Sequence, residues 1–215
     1  NTAVGTNALL SNIVGDYSTA IGYRALENNT ASNNTAVGYQ AGYNNTTGDI
    51  TAIGYQTLLN NTTGIRNTAI GRSALTANTT GSENTAIGTF ALTANTTGSR
   101  NTAIGKEVMY SNVSGGSNIA MGYQTLGSNV SGSNNVAIGD SALTLNTASQ
   151  NTAVGYQALQ SNTTGNYNTS LGMTSLYSNT SGEYNVALGK NALYQNTSGN
   201  QNVGVGYYTN FSDRK

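Results

Sequence analysis

Side chains capable of acid–base or nucleophilic chemistry are few in this chain of 215 residues. It carries eight Asp and Glu against eight Lys and Arg, and it has neither His nor Cys. Without His, the commonest general base and metal ligand is missing, and without Cys there are neither disulfides nor thiolate metal sites. A carboxylate enzyme would need two acidic side chains placed as an acid and a base.

The acidic residues are scattered over bends and surface positions. They are Asp16, Glu27, Asp49, Glu83, Glu107, Asp140, Glu183 and Asp213, and only Asp16 with Asp49, or Glu83 with Glu183, occupy comparable places in the sequence. The balanced charge leaves no basic patch for nucleic acid and no acidic cluster for calcium. We therefore expect no enzyme, no cofactor and no metal site. The enzymatic alternative would need an active site built where several chains meet.

One repeat of 16 or 17 residues accounts for almost all other positions, with the form Asn-Thr-Ala-Ile-Gly-x-x-Ala-Leu-x-x-Asn-Thr-Thr-Gly-x-x. Positions below are counted from the Gly that closes Ala-Ile-Gly, called the register Gly. Position −1 is always aliphatic, position −3 is always β-branched, position +4 is Leu in ten of twelve complete repeats, and position +7 is always Asn. A short fixed period over thirteen copies indicates a solenoid. The register glycines are Gly5, Gly22, Gly38, Gly54, Gly71, Gly88, Gly105, Gly122, Gly139, Gly155, Gly172, Gly189 and Gly206.

The pattern is typical of β structure, because its apolar positions do not follow a 3.6-residue period. Thr-Ala-Ile-Gly predicts a short strand with Thr and Ile on one face and Ala and Gly on the other. Asn-Thr-Thr-Gly predicts a corner. We expect an all-β, parallel β-roll or β-solenoid of about 13 coils over residues 1–206, roughly 60 Å long at ~4.8 Å per coil, in which Ile and Leu fill a narrow interior. Residues 207–215, where the pattern fails, are expected to form a cap or junction.

The invariant Asn at position +7 predicts a ladder of side-chain amides hydrogen-bonded along the rod. Several of these residues, such as Asn45 and Asn61, also begin Asn-x-Ser/Thr sequons that permit glycosylation. A buried ladder would exclude a glycan, so the two readings compete, and we favour the ladder. Its members are Asn12, Asn29, Asn45, Asn61, Asn78, Asn95, Asn112, Asn129, Asn146, Asn162, Asn179 and Asn196.

A single coil buries only about two large side chains, which is little against the entropy of ordering sixteen residues. We therefore expect one chain to need copies of itself. The face carrying Ala and Gly is predicted to be flat and apolar, and to admit another backbone. Lateral association in a closed ring of identical chains follows as the simplest arrangement.

Asn67 to Gly71, Asn84 to Gly88 and Asn101 to Gly105 all read Asn-Thr-Ala-Ile-Gly, and Asn151 to Leu159 continues a close variant as Gly-Tyr-Gln-Ala-Leu. These segments resemble the head repeats of YadA-like trimeric autotransporter adhesins. They resemble the repeat arrays of phage tail fibres and bacterial surface proteins even more closely. The resemblance implies a left-handed, homotrimeric β-roll on an extracellular cell or virion surface, although the present repeat is longer than that of the adhesin heads.

Six residues at position +1 are Tyr, and we take Tyr23, Tyr39, Tyr55, Tyr123 and Tyr156 as candidate contacts with a glycan or protein receptor. The alternative is that these rings cover the core edge or pack between chains. The leading hypothesis is a non-catalytic structural or adhesive fibre segment that gives length, rigidity and repeated surface contacts. The runner-up is a flat-surface binding module for ice or polysaccharide that uses Thr and Tyr ladders. Neither nucleic acid binding nor a membrane span is expected.

Overall fold

The computed structural model describes residues 1–209, and its regular structure is thirteen short strands. They lie side by side in chain order in one parallel sheet. No helix occurs in that part of the chain. The strands are β1 Thr2–Val4, β2 Thr19–Ile21, β3 Thr35–Val37, β4 Ile50–Ile53, β5 Asn67–Ile70, β6 Thr85–Ile87, β7 Thr102–Ile104, β8 Ile119–Met121, β9 Val136–Ile138, β10 Thr152–Val154, β11 Thr169–Leu171, β12 Val186–Leu188 and β13 Val203–Val205. The predicted all-β parallel solenoid is confirmed.

Equivalent residues of successive repeats stack directly on one another. Thr68, Ala69 and Ile70 pair with the Thr, Ala and Ile of the next strand. The stacking continues outside the strands, where the backbone N–H of Leu92 donates to the carbonyl of Val108 in the next coil at 3.0 Å. Each sequence position therefore becomes a row of side chains along the rod.

The core is thinner than the sequence suggested. Its large side chains are the Leu row at position +4, in which Leu26, Leu58 and Leu75 are fully buried. The Ala of each central strand, such as Ala69 and Ala86, is also fully buried. The aliphatic residue beside it at position −1 points out of the coil, so the expectation that Ile fills the interior is wrong, and so is the expectation that Ala lies on the outer face.

The reason for this orientation is the small distance between the strand and the opposite side of the coil. A Cβ atom on Gly204, which occupies the strand Ala position, would lie 2.7 Å from Cγ of Leu193. The Ser170 hydroxyl, in the same row, contacts the Ser175 side chain across the coil. From β2 to β12 a fully buried Ala or Ser fills this space. An Ile side chain would not fit there, because protein interiors are already close-packed.

The segment after each register Gly bends through left-handed backbone conformations. Leu26 has φ +51° and Arg24 has φ +57°, and the same two positions repeat this geometry in successive coils. The register glycines have φ near +130°, as at Gly88 with φ +135°, where a Cβ would lie 2.3 Å from the carbonyl oxygen of Gly105. No side chain can be accommodated there, which explains why this position is Gly in every repeat.

The described end of the chain continues the coil. The backbone N–H of Leu193 donates to the carbonyl of Thr209 at 2.7 Å, and that of Tyr208 donates to Lys190. The remainder of the expected cap, residues 210–215, lies outside the described residues.

Candidate functional site

Amide side chains at position +7 stack in one column, which is buried from Asn29 to Asn179. In nine of the eleven steps between successive members, Nδ2 of one Asn donates to Oδ1 of the Asn in the preceding coil at 2.7–2.9 Å. Asn95, for example, donates to Asn78 and also to the Gly98 carbonyl three residues later, at 2.9 Å in each case. Each amide thus closes its own corner and joins it to the next coil. We call this column the corner ladder.

A second Asn column, at position −4, was missed in the sequence, although Asn stands there in eleven of thirteen repeats. Its Oδ1 accepts the backbone N–H of the next coil, as from Asn101 to Asn84 at 3.0 Å. Its Nδ2 donates to a corner carbonyl, as from Asn84 to Gly98 at 2.9 Å. The Gly98 carbonyl therefore accepts from both columns, and the two ladders meet at the corner glycines. Buried polar groups are satisfied in this way without a ligand.

The corner ladder breaks at two places, and both have the same cause. No side-chain hydrogen bond joins Asn29 to Asn12 or Asn146 to Asn129. Oδ1 of Asn129 is buried without a partner among the described residues. In these two repeats the corner is one residue shorter, and Ala31 or Ala148 lies where the other coils have the corner Gly. The Asn therefore donates to the carbonyl two residues on, that of Ala31 or Ala148. The turned amide no longer reaches the coil before it.

Six of the asparagines that begin sequons in the corner ladder are too buried to carry a glycan. Asn45, Asn61, Asn78, Asn95, Asn162 and Asn179 are fully buried. Each of their Nδ2 groups already donates to the Asn of the preceding coil and to a carbonyl of its own corner, and that of Asn45 has a third acceptor in Oδ1 of Asn34. Because a glycan would have to replace these bonds and occupy the packed interior, none can be carried at these six residues.

The outer face of the sheet carries an uninterrupted row of aliphatic side chains. Nine of the thirteen residues at position −1 are exposed, among them Ile21 at 41%, Ile87 at 36% and Leu171 at 50%, and the other four are half-buried. The β-branched residue at position −3 points the same way and is half-buried in most coils. Contiguous apolar surface of this extent is unusual on a protein that acts as a monomer.

Three of the candidate tyrosines form a stack on the surface. Tyr39 lies between Tyr23 and Tyr55 with ring centroids 5.3 and 5.1 Å apart, and the Arg72 guanidinium lies 5.8 Å from the Tyr55 centroid. All three rings are between 42% and 46% exposed. Tyr123 and Tyr156 are exposed too, but Asp140 separates them in the row, so the structure does not bring the five candidates into one patch. Lys106 instead contacts Tyr123, 5.5 Å from its ring centroid.

The carboxylates make local surface interactions. Glu27 binds Arg24, with Nη2 and Oε1 3.0 Å apart, and this hydrogen bond raises the pKa of the Arg24 guanidinium. Glu83 pairs with Arg66 at 2.8 Å, and Glu107 accepts from Gln124 at 2.9 Å, which lowers the pKa of the Glu107 carboxyl. Within residues 1–209 no three acidic side chains gather as metal ligands, and no helix is long and apolar enough to cross a bilayer.

Searches of this chain against protein-family models, curated proteins and solved structures gave no match.

Proposed function

We propose that this chain is a rod-forming segment of an extracellular fibre, which associates side by side with copies of itself and has no catalytic role. The main support for this proposal is the exposed aliphatic row on the outer face of the sheet. Burial of apolar surface is the main favourable term in association, and this row offers it in every coil.

A second copy of the chain fits this row better than an unrelated partner does. Two copies share the same coil spacing, so the contact between their rows repeats in phase over about 60 Å. A partner with another period would fall out of register after a few coils. The formal net charge of +0 adds no repulsion between parallel copies. Three copies around one axis would bury all three rows centrally, and the likeness to trimeric adhesin heads favours that number.

The work of such a rod would be mechanical and multivalent. Its rigidity comes from the parallel hydrogen bonds and the two Asn ladders, and its length from the number of coils. Weak surface contacts repeated in each copy would act together through avidity. A place on a phage tail or a bacterial surface is supported by the resemblance of the repeats.

Mass in solution tests this proposal. We expect a β-rich species of about three times 22.1 kDa for the unmodified chain. Replacing Ile53, Ile70 and Ile87 together by Glu should shift it to the monomer mass, because three carboxylates would be buried without partners. Thr63, Thr80 and Thr97, exposed at the corners, replaced together by Glu make the charge-matched control and should keep the assembly. A stable folded monomer of the unmodified chain would refute self-association.

A second candidate is binding to a flat periodic surface such as ice or a crystalline polysaccharide. It gains support from the outward Thr row at position −3, since Thr was expected to be buried beside Ile. Ile119, Val136, Val186 and Val203 interrupt that row. Absence of thermal hysteresis, and of sedimentation with crystalline cellulose or chitin, would remove this candidate.

A further inference from the structure

A groove opens on the described surface where one side chain is missing from a row. Position +5 carries Gly only once among the twelve complete repeats, at Gly127, whereas the coils on either side have Tyr110 and Thr144. The groove has a volume of about 460 Å³. This is the size range of small-molecule sites, about 300–1,000 Å³.

Its walls combine aromatic rings with hydrogen-bonding groups. Tyr110 is 48% exposed and packs edge-on against Phe90, with ring centroids 6.4 Å apart at 82°. Glu107 and Gln124 line the same groove and are joined by the 2.9 Å hydrogen bond from Nε2 to the carboxylate. The Ser111 and Ser128 hydroxyls complete the lining, and neither makes a side-chain hydrogen bond within the described part of the chain.

We propose that this groove binds a neutral hexopyranose unit of a glycan. A sugar ring has an apolar C–H face that suits the exposed Tyr110 ring, and it has adjacent hydroxyls that suit a carboxylate beside an amide. The Glu107 carboxylate accepts hydrogen bonds from sugar hydroxyls, and its negative charge repels acidic sugars. This inference rests on the proposed adhesive function and names a ligand class for it.

The chain supplies its own comparison. A second groove of about 410 Å³ arises in the same manner, because Gly116 stands in a row where the adjacent coils have Ser99 and Ser133. Its lining holds the Arg100 side chain and several hydroxyls, but no aromatic ring. It has the volume without the sugar-stacking surface, so we expect no neutral pyranose there.

Saturation-transfer NMR on the whole chain, with the methyl pyranosides of glucose, galactose and mannose as probes, tests the assignment. We expect transfer to at least one of the three. Gly127→Thr should abolish it, since Thr occupies this row at Thr93 and Thr144 and fills the groove without disturbing the coil. Glu107→Gln should weaken binding about tenfold, and Gly116→Ser should leave it unchanged.

The outcomes separate this site from the rod proposal. Far-UV circular dichroism and solution mass of each variant show whether fold and assembly persist. Transfer that survives in Gly127→Thr, or that is absent for all three sugars with the unmodified chain, overturns the saccharide site while leaving the trimeric rod intact. A monomeric chain that still binds sugar through the Gly127 groove would overturn the rod alone.

Discussion

The side chain of Ile50 occupies space that the missing side chain of Gly42 leaves free. Gly42 stands at position +4, where ten other repeats have Leu, and Ile50 stands at position −4, where eleven have Asn. A Cβ atom on Gly42 would lie 3.0 Å from Cδ1 of Ile50 and 2.9 Å from Cδ2 of Leu26. Two departures from the repeat, eight residues apart, therefore compensate each other in one stretch of core.

This pair predicts a strong non-additive effect. Gly42→Leu alone should destabilise the chain, because the added side chain collides with Ile50; the backbone itself is no obstacle, since φ is +61° at Gly42 and +51° at Leu26. Ile50→Asn alone should also destabilise it, by leaving a cavity, with a cost of about 2–5 kcal/mol. The double variant restores the common repeat and should approach the unmodified stability.

A double-mutant cycle of denaturant unfolding at one fixed chain concentration measures the coupling. Additive losses in the two single variants and the double variant would show that the two positions do not share space. Leu58→Met gives the reference for an ordinary core substitution, because Met109 already stands in the same row with the same left-handed backbone, φ +50° at both residues.

The sequence predicted the features that the backbone enforces. The register Gly is invariant because a Cβ atom there would collide with the backbone of the next coil. The corner Asn is invariant because its side chain hydrogen-bonds to the main chain of the corner. It could not indicate which strand face is inward, since alternation of Thr, Ala and Ile is the same for either orientation. The size of Ile suggested the interior, but the width of the coil, set by packing against residues such as Leu193 and Ser175, admits only a small residue, which is Ala in most repeats.

Candidate sites were harder to predict for a related reason. A row such as Tyr23, Tyr39 and Tyr55 is visible once the repeats are aligned, and its stacking follows from the coil spacing. The groove at Gly127 depends instead on a side chain that is absent from one row and on the surrounding side chains of four coils. Comparing position +5 across repeats would have exposed Gly127, but not the aromatic and polar lining that makes it a candidate site.

Removing one side-chain amide from the corner ladder should lower the free energy of unfolding far more than removing an exposed amide. Asn95→Ala deletes the donor to Asn78 and Gly98 and the acceptor for Asn112, all in fully buried surroundings. Buried groups left unpaired cost about 1–3 kcal/mol each, so we expect a loss of about 3 kcal/mol or more in the free energy of unfolding. Asn60→Ala is the control, because Asn60 is exposed and, within residues 1–209, its side chain takes part in a single hydrogen bond, which it accepts from Asn44 at 3.5 Å. Equal effects of the two changes would contradict a structural role for the ladder.

Repairing a break in that ladder should stabilise the rod. We expect replacement of Thr147-Ala148-Ser149 by Thr-Thr-Gly-Ser, the common corner, to turn Asn146 toward Asn129. The orphaned Oδ1 of Asn129 would then gain a hydrogen bond, worth about 1 kcal/mol. The thermal midpoint of unfolding should rise. The control is a chain with one Gly inserted after Gly165, in a coil where Asn162 already continues the ladder. An equal change in both chains would mean that corner length, not the amide, sets the stability.

The register glycines should tolerate no side chain at all. In Gly88→Ala the new methyl would lie 2.3 Å from the Gly105 carbonyl oxygen, and alanine would have to adopt φ +135°. Both neighbouring coils would have to separate, which breaks the parallel hydrogen bonds at that level, so we expect loss of cooperative folding or a drop of at least about 4 kcal/mol. Gly127→Ala is the matched control, because its methyl would meet no atom closer than 3.2 Å and φ there is not in the left-handed range. Circular dichroism melts of the two variants decide the point: a Gly88→Ala chain that melts like Gly127→Ala would mean that the coils can part at the sheet without loss.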